Sequence, residues 1–494
     1  MGVIKRQSIS GTIYTYIGVV LGFITTGILF PKVFSTDEVG LLRLLVSVSV
    51  LFAQFSGLGF NAVMLRNFPY FRDNESNHHG FLLLSLTVNT VGFLIVMILF
   101  ILLKPWLIEI NIEKSALFVE YIFYLIPLIF FTSYFNLLDS YNRAIYNISI
   151  GIELKDLWQR LFILASILGY FFGLFSFQIL VVTYTISICF PTLMITWSLW
   201  RQGEFSLRWE KGFISKPMAQ EMISVSIYGI VTSFSSILIL NVDVVMINYY
   251  LGLSETGVYA IAFYFGTLVL IPSRPVIKIA AILIADGWKT MDLKKIDEIY
   301  KKTNIVLTIL ALLMLIGLWV NIENVFKIVG DEYIGGKYVI LLVGLANVFE
   351  MSTSVSQYII NNSKQYRVNT WFLILFIFML VVSNAILIPS FGIIGCAMAS
   401  TFSRLVYNFL CWFFLYRKFK LQPFDRTYLY LIGITIVSYF VAYLIPNLSN
   451  FIVDIIVRST VLVMIFGLGV YFTHLSTDLN ETFQNILKQL KLIK

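Results

Sequence analysis

The chain has 494 residues, of which 59 % are hydrophobic and only 13 % charged, with a formal net charge of +8. Soluble domains carry about twice that charged fraction, and the mean hydropathy of +0.86 makes lipid the solvent for most of the chain. A soluble enzyme is excluded, and so is a nucleic-acid-binding domain, because no basic stripe with interleaved aromatics lies on a soluble face.

A spanning helix needs about 20 mostly apolar residues. Fourteen stretches fit: 10–34, 38–64, 80–103, 116–141, 157–175, 177–200, 218–250, 254–283, 303–321, 338–361, 368–388, 391–416, 427–446 and 451–474. The run 157–175 is short, and 218–250 is long and polar at its start. The runs are continuous rather than alternating, which predicts α-helices and not a barrel. The start "MGVIKRQSIS" has a basic pair, but no small-residue cleavage site follows the first apolar run, so that run reads as a retained helix. Cys189, Cys396 and Cys411 all lie inside apolar runs at no metal spacing, so neither a disulfide nor a zinc site is expected.

With the N-terminus inside, alternate loops place 25 of the 35 Lys and Arg on one side and five on the other. By the positive-inside rule both termini are expected in the cytoplasm, and the net charge is mostly topological. The remaining five cations, Arg43, Arg274, Lys278, Arg404 and Arg458, fall inside or at the edges of predicted helices. In the longest basic-side segment, "ADGWKTMDLKKIDEIYKKT", apolar residues interleave with lysines. It reads either as a helix lying on an anionic membrane surface or as a solvated connector.

An internal repeat is visible. Glu38–Val–Gly40 matches Glu255–Thr–Gly257 at an offset of 217, and Ser176–Phe177 matches Ser390–Phe391 at 214. The near-constant offset predicts two six-helix lobes, residues 1–210 and 211–420, followed by two extra helices and a cytoplasmic tail over 421–494. Six is even, so the lobes form a parallel pseudo-repeat, an arrangement suited to alternating access. The stretch "NVDVVMINYYLGLSETGVYAIAFYF" supplies Asp243, Gly252, Gly257, Tyr259 and Ala262, and "PSFGIIGCAMAS" a Gly-x-x-Gly-x-Ala opening. This pattern resembles the polysaccharide exporters, the oligosaccharide (Wzx-type) flippases of the multidrug/oligosaccharidyl-lipid/polysaccharide superfamily. The resemblance implies a two-lobed transporter in the bacterial inner membrane. Its implied cargo is an undecaprenyl-diphosphate-linked oligosaccharide.

The intramembrane charges are the candidate site. Arg404 lies 12 residues from the outer end of its helix and 13 from Arg417, about 18 and 20 Å at the helical rise. It cannot snorkel that far, and a lipid-facing Arg there would cost about 3 kcal/mol or more. Two readings stay open, and they are compatible. Arg404 pairs with Glu350 at similar depth, or it lines a cavity and grips a diphosphate with its planar fork. Arg43 either snorkels with Asp37 or Glu38 offsetting it, or faces the cleft, as the first helices of each lobe do in the resembled family. Arg274 and Lys278 sit in "LIPSRPVIKIAA", where Pro272 and Pro275 must break or bend the helix. They read as a docking site for the diphosphate or as a topogenic cluster. Asp243 and Asp139 are candidates for coupling to an Na⁺ or H⁺ gradient or for structural hydrogen bonds. Asp454 and Arg458, at i,i+4, are expected to pair.

"GDEYIGGK" is not a phosphate loop: the spacing is wrong and Tyr338 follows the Lys where Ser or Thr is required. His78 and His79 have no acidic or Cys partner at metal spacing in the sequence. The expectation is therefore a non-enzymatic flippase without cofactor or metal. Membrane lipids surround it, and polysaccharide assembly proteins are its expected partners. The competing reading on the same scaffold is an ion-coupled drug/cation antiporter, which predicts an acidic cavity. A membrane polymerase or ligase would need a long catalytic loop outside the membrane, and no external loop exceeds roughly 20 residues.

Overall fold

The computed structural model describes residues 2–481 apart from Asn74, Lys211 and Asp478, and the backbone alone at 2–6, 8, 9, 232 and 236. The tail with Lys488, Lys491 and Lys494 and the side chains of Lys5 and Arg6 thus lie outside the described residues. Every regular element among the described residues is helical. This follows from the solvent: with no water to satisfy backbone N–H and C=O groups, a segment must bond to itself.

The chain forms two compact units, Met1–Ala260 and Ile261–Lys494. The first contains α1 (Gly2–Gly22, continued by a π-helical turn Phe23–Leu29), α2 (Thr36–Ser56), α3 (Phe60–Phe71), α4 (Phe81–Asn111), α5 (Ala116–Ala144), α6 (Gln159–Phe171, led in by a π-helical turn Glu153–Trp158), α7 (Phe177–Arg201), α8 (Lys216–Leu251) and the start of α9 (Leu253–Thr267). One of its core clusters is built on the rings of Phe68, Phe71, Phe81 and Tyr141. The second unit continues α9 and adds α10 (Ser273–Lys289), α11 (Leu293–Val320), α12 (Ile322–Val329), α13 (Lys337–Thr353), α14 (Val355–Asn361), α15 (Arg367–Phe419), α16 (Thr427–Tyr443) and α17 (Phe451–Phe472).

Local chemistry sets the helix ends. Ser35 and Glu38 form a reciprocal capping box at the start of α2. Asp292 caps α11 and Asn450 caps α17. Pro272 and Pro275 break the run 254–283: α9 tightens into a 3₁₀ turn at Leu268–Leu270, and α10 restarts at Ser273.

Ten helices among the described residues are long and apolar enough to cross a bilayer, or eleven if the bent segment Lys216–Leu251 is one span. The sequence count of fourteen divides the chain more finely. It adds the 13-residue α6, the 17-residue α16 and a division of the 53-residue α15. An unbroken helix of that length would run about 80 Å, more than twice a hydrocarbon core of about 30 Å. Gly392, at φ 61° and ψ −143°, interrupts it in a backbone region open to glycine.

Of the two readings left open for 285–303, neither a separate surface helix nor a plain connector describes the segment: it is the end of α10 up to Lys289, a short turn, and the first turns of α11 from Leu293, with Ile296 and Tyr300 buried. The interleaved pattern that suggested an interfacial face was the helical period of a spanning segment's polar end.

Candidate functional site

In the second unit, Arg404 on α15 reaches α13. Its NH1 donates to Asn347 Oδ1 at 2.6 Å and to Glu350 Oε2 at 3.2 Å. Asn347 is fully buried, and its Nδ2 donates to the Gly266 carbonyl at 3.0 Å. Asn347 and Glu350 lie three residues apart, so they present one face of α13 to the guanidinium. The Arg404 side chain is 11 % exposed and that of Glu350 is 39 %, so the pair sits at an opening rather than in a sealed core. Among the described residues only NH1 has a partner, which leaves the Nε and NH2 edge of the fork open.

Arg43 in the first unit differs. It lies seven residues into α2, about 10 Å from the helix end. No carboxylate among the described residues pairs with it. Glu38 is committed to the Ser35 cap, its Oε2 accepting from Ser35 N at 2.9 Å, so it does not offset Arg43. The groups that act on the guanidinium electrostatically are the phenols of Tyr184 and Tyr259. Tyr259 is buried, and its hydroxyl donates to Asp243 Oδ2 at 2.8 Å. Tyr259 and Asp243 thus form a buried polar pair between α9 and α8, and the half-buried Arg43 on α2 lies within the field of Tyr259.

Just beyond Arg43, α2 and α9 cross at backbone contact. A Cβ on Gly40 would strike the Leu253 carbonyl, and one on Gly257 the Thr36 carbonyl. Thr36 and Ser254 share a hydroxyl–hydroxyl hydrogen bond of 2.8 Å at the same crossing. Next to it Asn248 accepts from Ser115 and donates to Asn111, and Lys114 Nζ donates to the Tyr250 carbonyl at 2.9 Å.

Asp139, near the end of α5, pairs with Arg143 at 2.6 Å, and Lys155 adds a second cation to its field. Lys155 Nζ also lies over the Phe135 ring at 4.7 Å, and Gly151 makes room for the carboxylate. Arg274 and Lys278 stand exposed, one turn apart on α10.

Sequence reasoning missed Asn347 and Lys155 and named Tyr259 only as a motif residue, not as the partner of Asp243. For Asn347 the i,i+3 spacing to Glu350 carried a signal. It also missed that the two histidines find acids far along the chain: His78 Nε2 lies 3.0 Å from Glu204, and His79 Nδ1 bonds Glu210.

No family model matches the chain. The uncharacterized membrane protein MJ1068 of Methanocaldococcus jannaschii is 22 % identical over 460 residues, 88 % of each chain. Among solved structures, the lipid II flippase MurJ in an inward closed conformation superposes with a TM-score of 0.75 at 13 % identity, covering 94 % of this chain and 99 % of that one. A multidrug resistance MATE family transporter of the MOP superfamily, in an inward-facing conformation, gives 0.62 at 13 % identity over 83 % and 98 %. A MOP superfamily transporter from Pyrococcus furiosus, described as having a binding pocket of reversed polarity, gives 0.53 at 14 % identity over 85 % and 95 %. The chain therefore has the fold these transporters share.

Proposed function

We propose that the protein is a flippase that carries a polyprenyl (undecaprenyl) diphosphate-linked oligosaccharide across the bacterial inner membrane by alternating access, with both termini in the cytoplasm. It would serve O-antigen, capsule or related polysaccharide biosynthesis as a Wzx-type member of the MOP superfamily. The observation that carries this reading is Arg43, a membrane-depth cation with no carboxylate partner among the described residues. An unpaired guanidinium is costly in lipid and is matched by an anion that accepts bidentate hydrogen bonds. Arg404 adds an open guanidinium edge, and the exposed Arg274 and Lys278 add a second basic surface where a diphosphate can dock. The fold shared with a lipid II flippase supports a lipid-linked cargo.

Glu350, Asp243 and Asp139 are the carboxylates through which an Na⁺ or H⁺ gradient would couple. Asp243 also favours one rival reading, an ion-coupled drug/cation antiporter, because it is a buried carboxylate on a fold shared with a MATE transporter. The test is flipping of a fluorescent short-chain polyprenyl-diphosphate sugar in proteoliposomes, beside uptake of a cationic dye. Flipping that fails with Arg43→Ala and Arg404→Glu supports the flippase. Dye uptake that fails with Asp243→Asn, without lipid flipping, supports the antiporter. In cells, normal surface polymer with Arg404→Glu at matched expression would sink the diphosphate role of that residue.

A further inference from the structure

At the polar end of α11 the second unit has a cavity of about 160 Å³, walled by α11, by the start of α16 and by the segment that follows α17. That is roughly ten times the volume a single water needs. Its floor is apolar: Ile305 and Leu475 are buried there, and Tyr428 packs against the same cluster. The wall after α17 is held in place. His474 is left-handed at φ 51°, a conformation that is costly outside glycine and persists where contacts hold it. Asn480 Nδ2 supplies them, donating to His474 Nδ1 at 2.7 Å and to the Tyr471 carbonyl at 3.1 Å. Ser476 Oγ closes the return by accepting from Leu479 N at 3.4 Å.

The polar lining is rich in donors. Because His474 Nδ1 accepts, the ring proton is on Nε2. Thr427 on α16, and Ser476 and Thr477 after α17, bring hydroxyls, while Lys301 and Lys302 bring two ammoniums from α11. Among the described residues the lining has one acid, Asp425, and its Oδ1 already accepts from Thr427 N at 2.9 Å. Lys301 and Lys302 pair with Asp297 and Glu298 one turn earlier on α11, at 2.6 and 2.7 Å, but neither carboxylate lines the cavity. Both lysine side chains are about half exposed. Such i,i+4 surface pairs are weak, so they yield to an anion that gathers more donors.

We propose that this cavity seats the phosphate of an ester anion, which ties α16 and α17 to α11. A phosphate ester spreads its acceptor oxygens over a tetrahedron, which suits donors arriving from three walls, whereas a carboxylate presents two in one plane. Basic pockets between membrane helices are where phospholipid heads dock. The rim suits a lipid as well: Leu429 in the first turn of α16 and Phe472 at the end of α17 are largely exposed apolar side chains, along which acyl chains can run. The chemistry recognised is that of a phosphate ester, carried by an anionic bilayer lipid or by a soluble ester, and the test separates the two. Neither Arg404 nor Arg274 nor Lys278 lines the cavity, so the seat stands whatever the cargo.

The test is the labelling rate of Thr477→Cys by a water-soluble maleimide, in the full chain in a neutral detergent; the three native cysteines are buried. Dioctanoyl-phosphatidylglycerol should slow labelling saturably, and dioctanoylglycerol, which lacks the phosphate, should not. Protection by glycerol phosphate as well would identify a soluble ester as an occupant, and protection by the lipid alone would identify the bilayer lipid. Adding Lys301→Ala/Lys302→Ala should raise the half-protecting concentration about thirtyfold, the worth of two lysines beside an anionic head. Lys294→Ala/Lys295→Ala, exposed on the same helix but outside the lining, should leave it unchanged. Without the thiol, the number of phosphatidylglycerol molecules retained through gel filtration should fall by one in Lys301→Ala/Lys302→Ala. No protection by either phosphate ester would overturn the seat. So would an equal loss in both lysine pairs, which is the mark of surface charge alone.

Discussion

Gly40 and Gly257, which the internal repeat matches at an offset of 217, are in contact with each other. A Cβ on Gly40 would lie 3.2 Å from Gly257 N, and one on Gly257 would lie 3.1 Å from Gly40 N. Small residues allow it, because in lipid helix association depends on close packing rather than on hydrophobic burial.

Gly40→Val and Gly257→Val should each push α2 and α9 apart and lower stability by about 1–3 kcal/mol, the usual cost of overpacking. The Thr36–Ser254 bond should be lost with them. A thiol placed at Thr36 or Ser254 should then react faster with a membrane-impermeant reagent. An unchanged rate would mean that the crossing is not held by the glycines.

Arg43→Met should leave thermal stability unchanged or raise it, because it removes a half-buried charge that pairs with no carboxylate among the described residues. Flipping of a polyprenyl-diphosphate probe should fall at least about tenfold, the worth of one charge-assisted contact. A fall in melting temperature with intact flipping would reassign Arg43 to structure.

Arg404→Met should destabilise by about 1–3 kcal/mol, since it leaves the Asn347 and Glu350 oxygens without their donor. The double variant Arg404→Met/Glu350→Gln should recover most of that loss by removing the orphaned charge. Flipping should stay low in the double variant if the open guanidinium edge binds cargo. Recovery of flipping with stability would leave Arg404 only its pairing with Glu350.

Asp454 and Arg458 form a buried pair at 2.8 Å. Asp454 also accepts from Asn324 on α12 and from Leu448 N, and Arg458 donates to the Ile445 carbonyl and Asn447. Every strong group there is matched, so Arg458→Ala should cost about 3–5 kcal/mol by stranding a buried carboxylate. Protease susceptibility between α16 and α17 should rise before the rest of the chain unfolds.

Much of the fold was legible because membrane insertion reads local composition. Runs of apolar residues gave the helices, Pro272 and Pro275 gave the break after α9, and the i,i+4 spacing gave the Asp454–Arg458 pair. The two readings of 285–303 could not be told apart in sequence because amphipathic spacing is the same for an interfacial helix and for the polar end of a longer one. The His78 and His79 partners were illegible because Glu204 and Glu210 lie more than 120 residues away.

The sequence by itself determined the solvent and most of the helices, because transfer free energy and a fixed rise per residue are local properties. Only the tertiary structure decided which cation has a counter-charge. Glu38, five residues from Arg43 along α2, turns to its own cap and leaves Arg43 in the field of tyrosines, while Glu350, 54 residues from Arg404, comes across to meet it. Charge pairing in a membrane is settled by which helix faces meet, and no span of sequence records that.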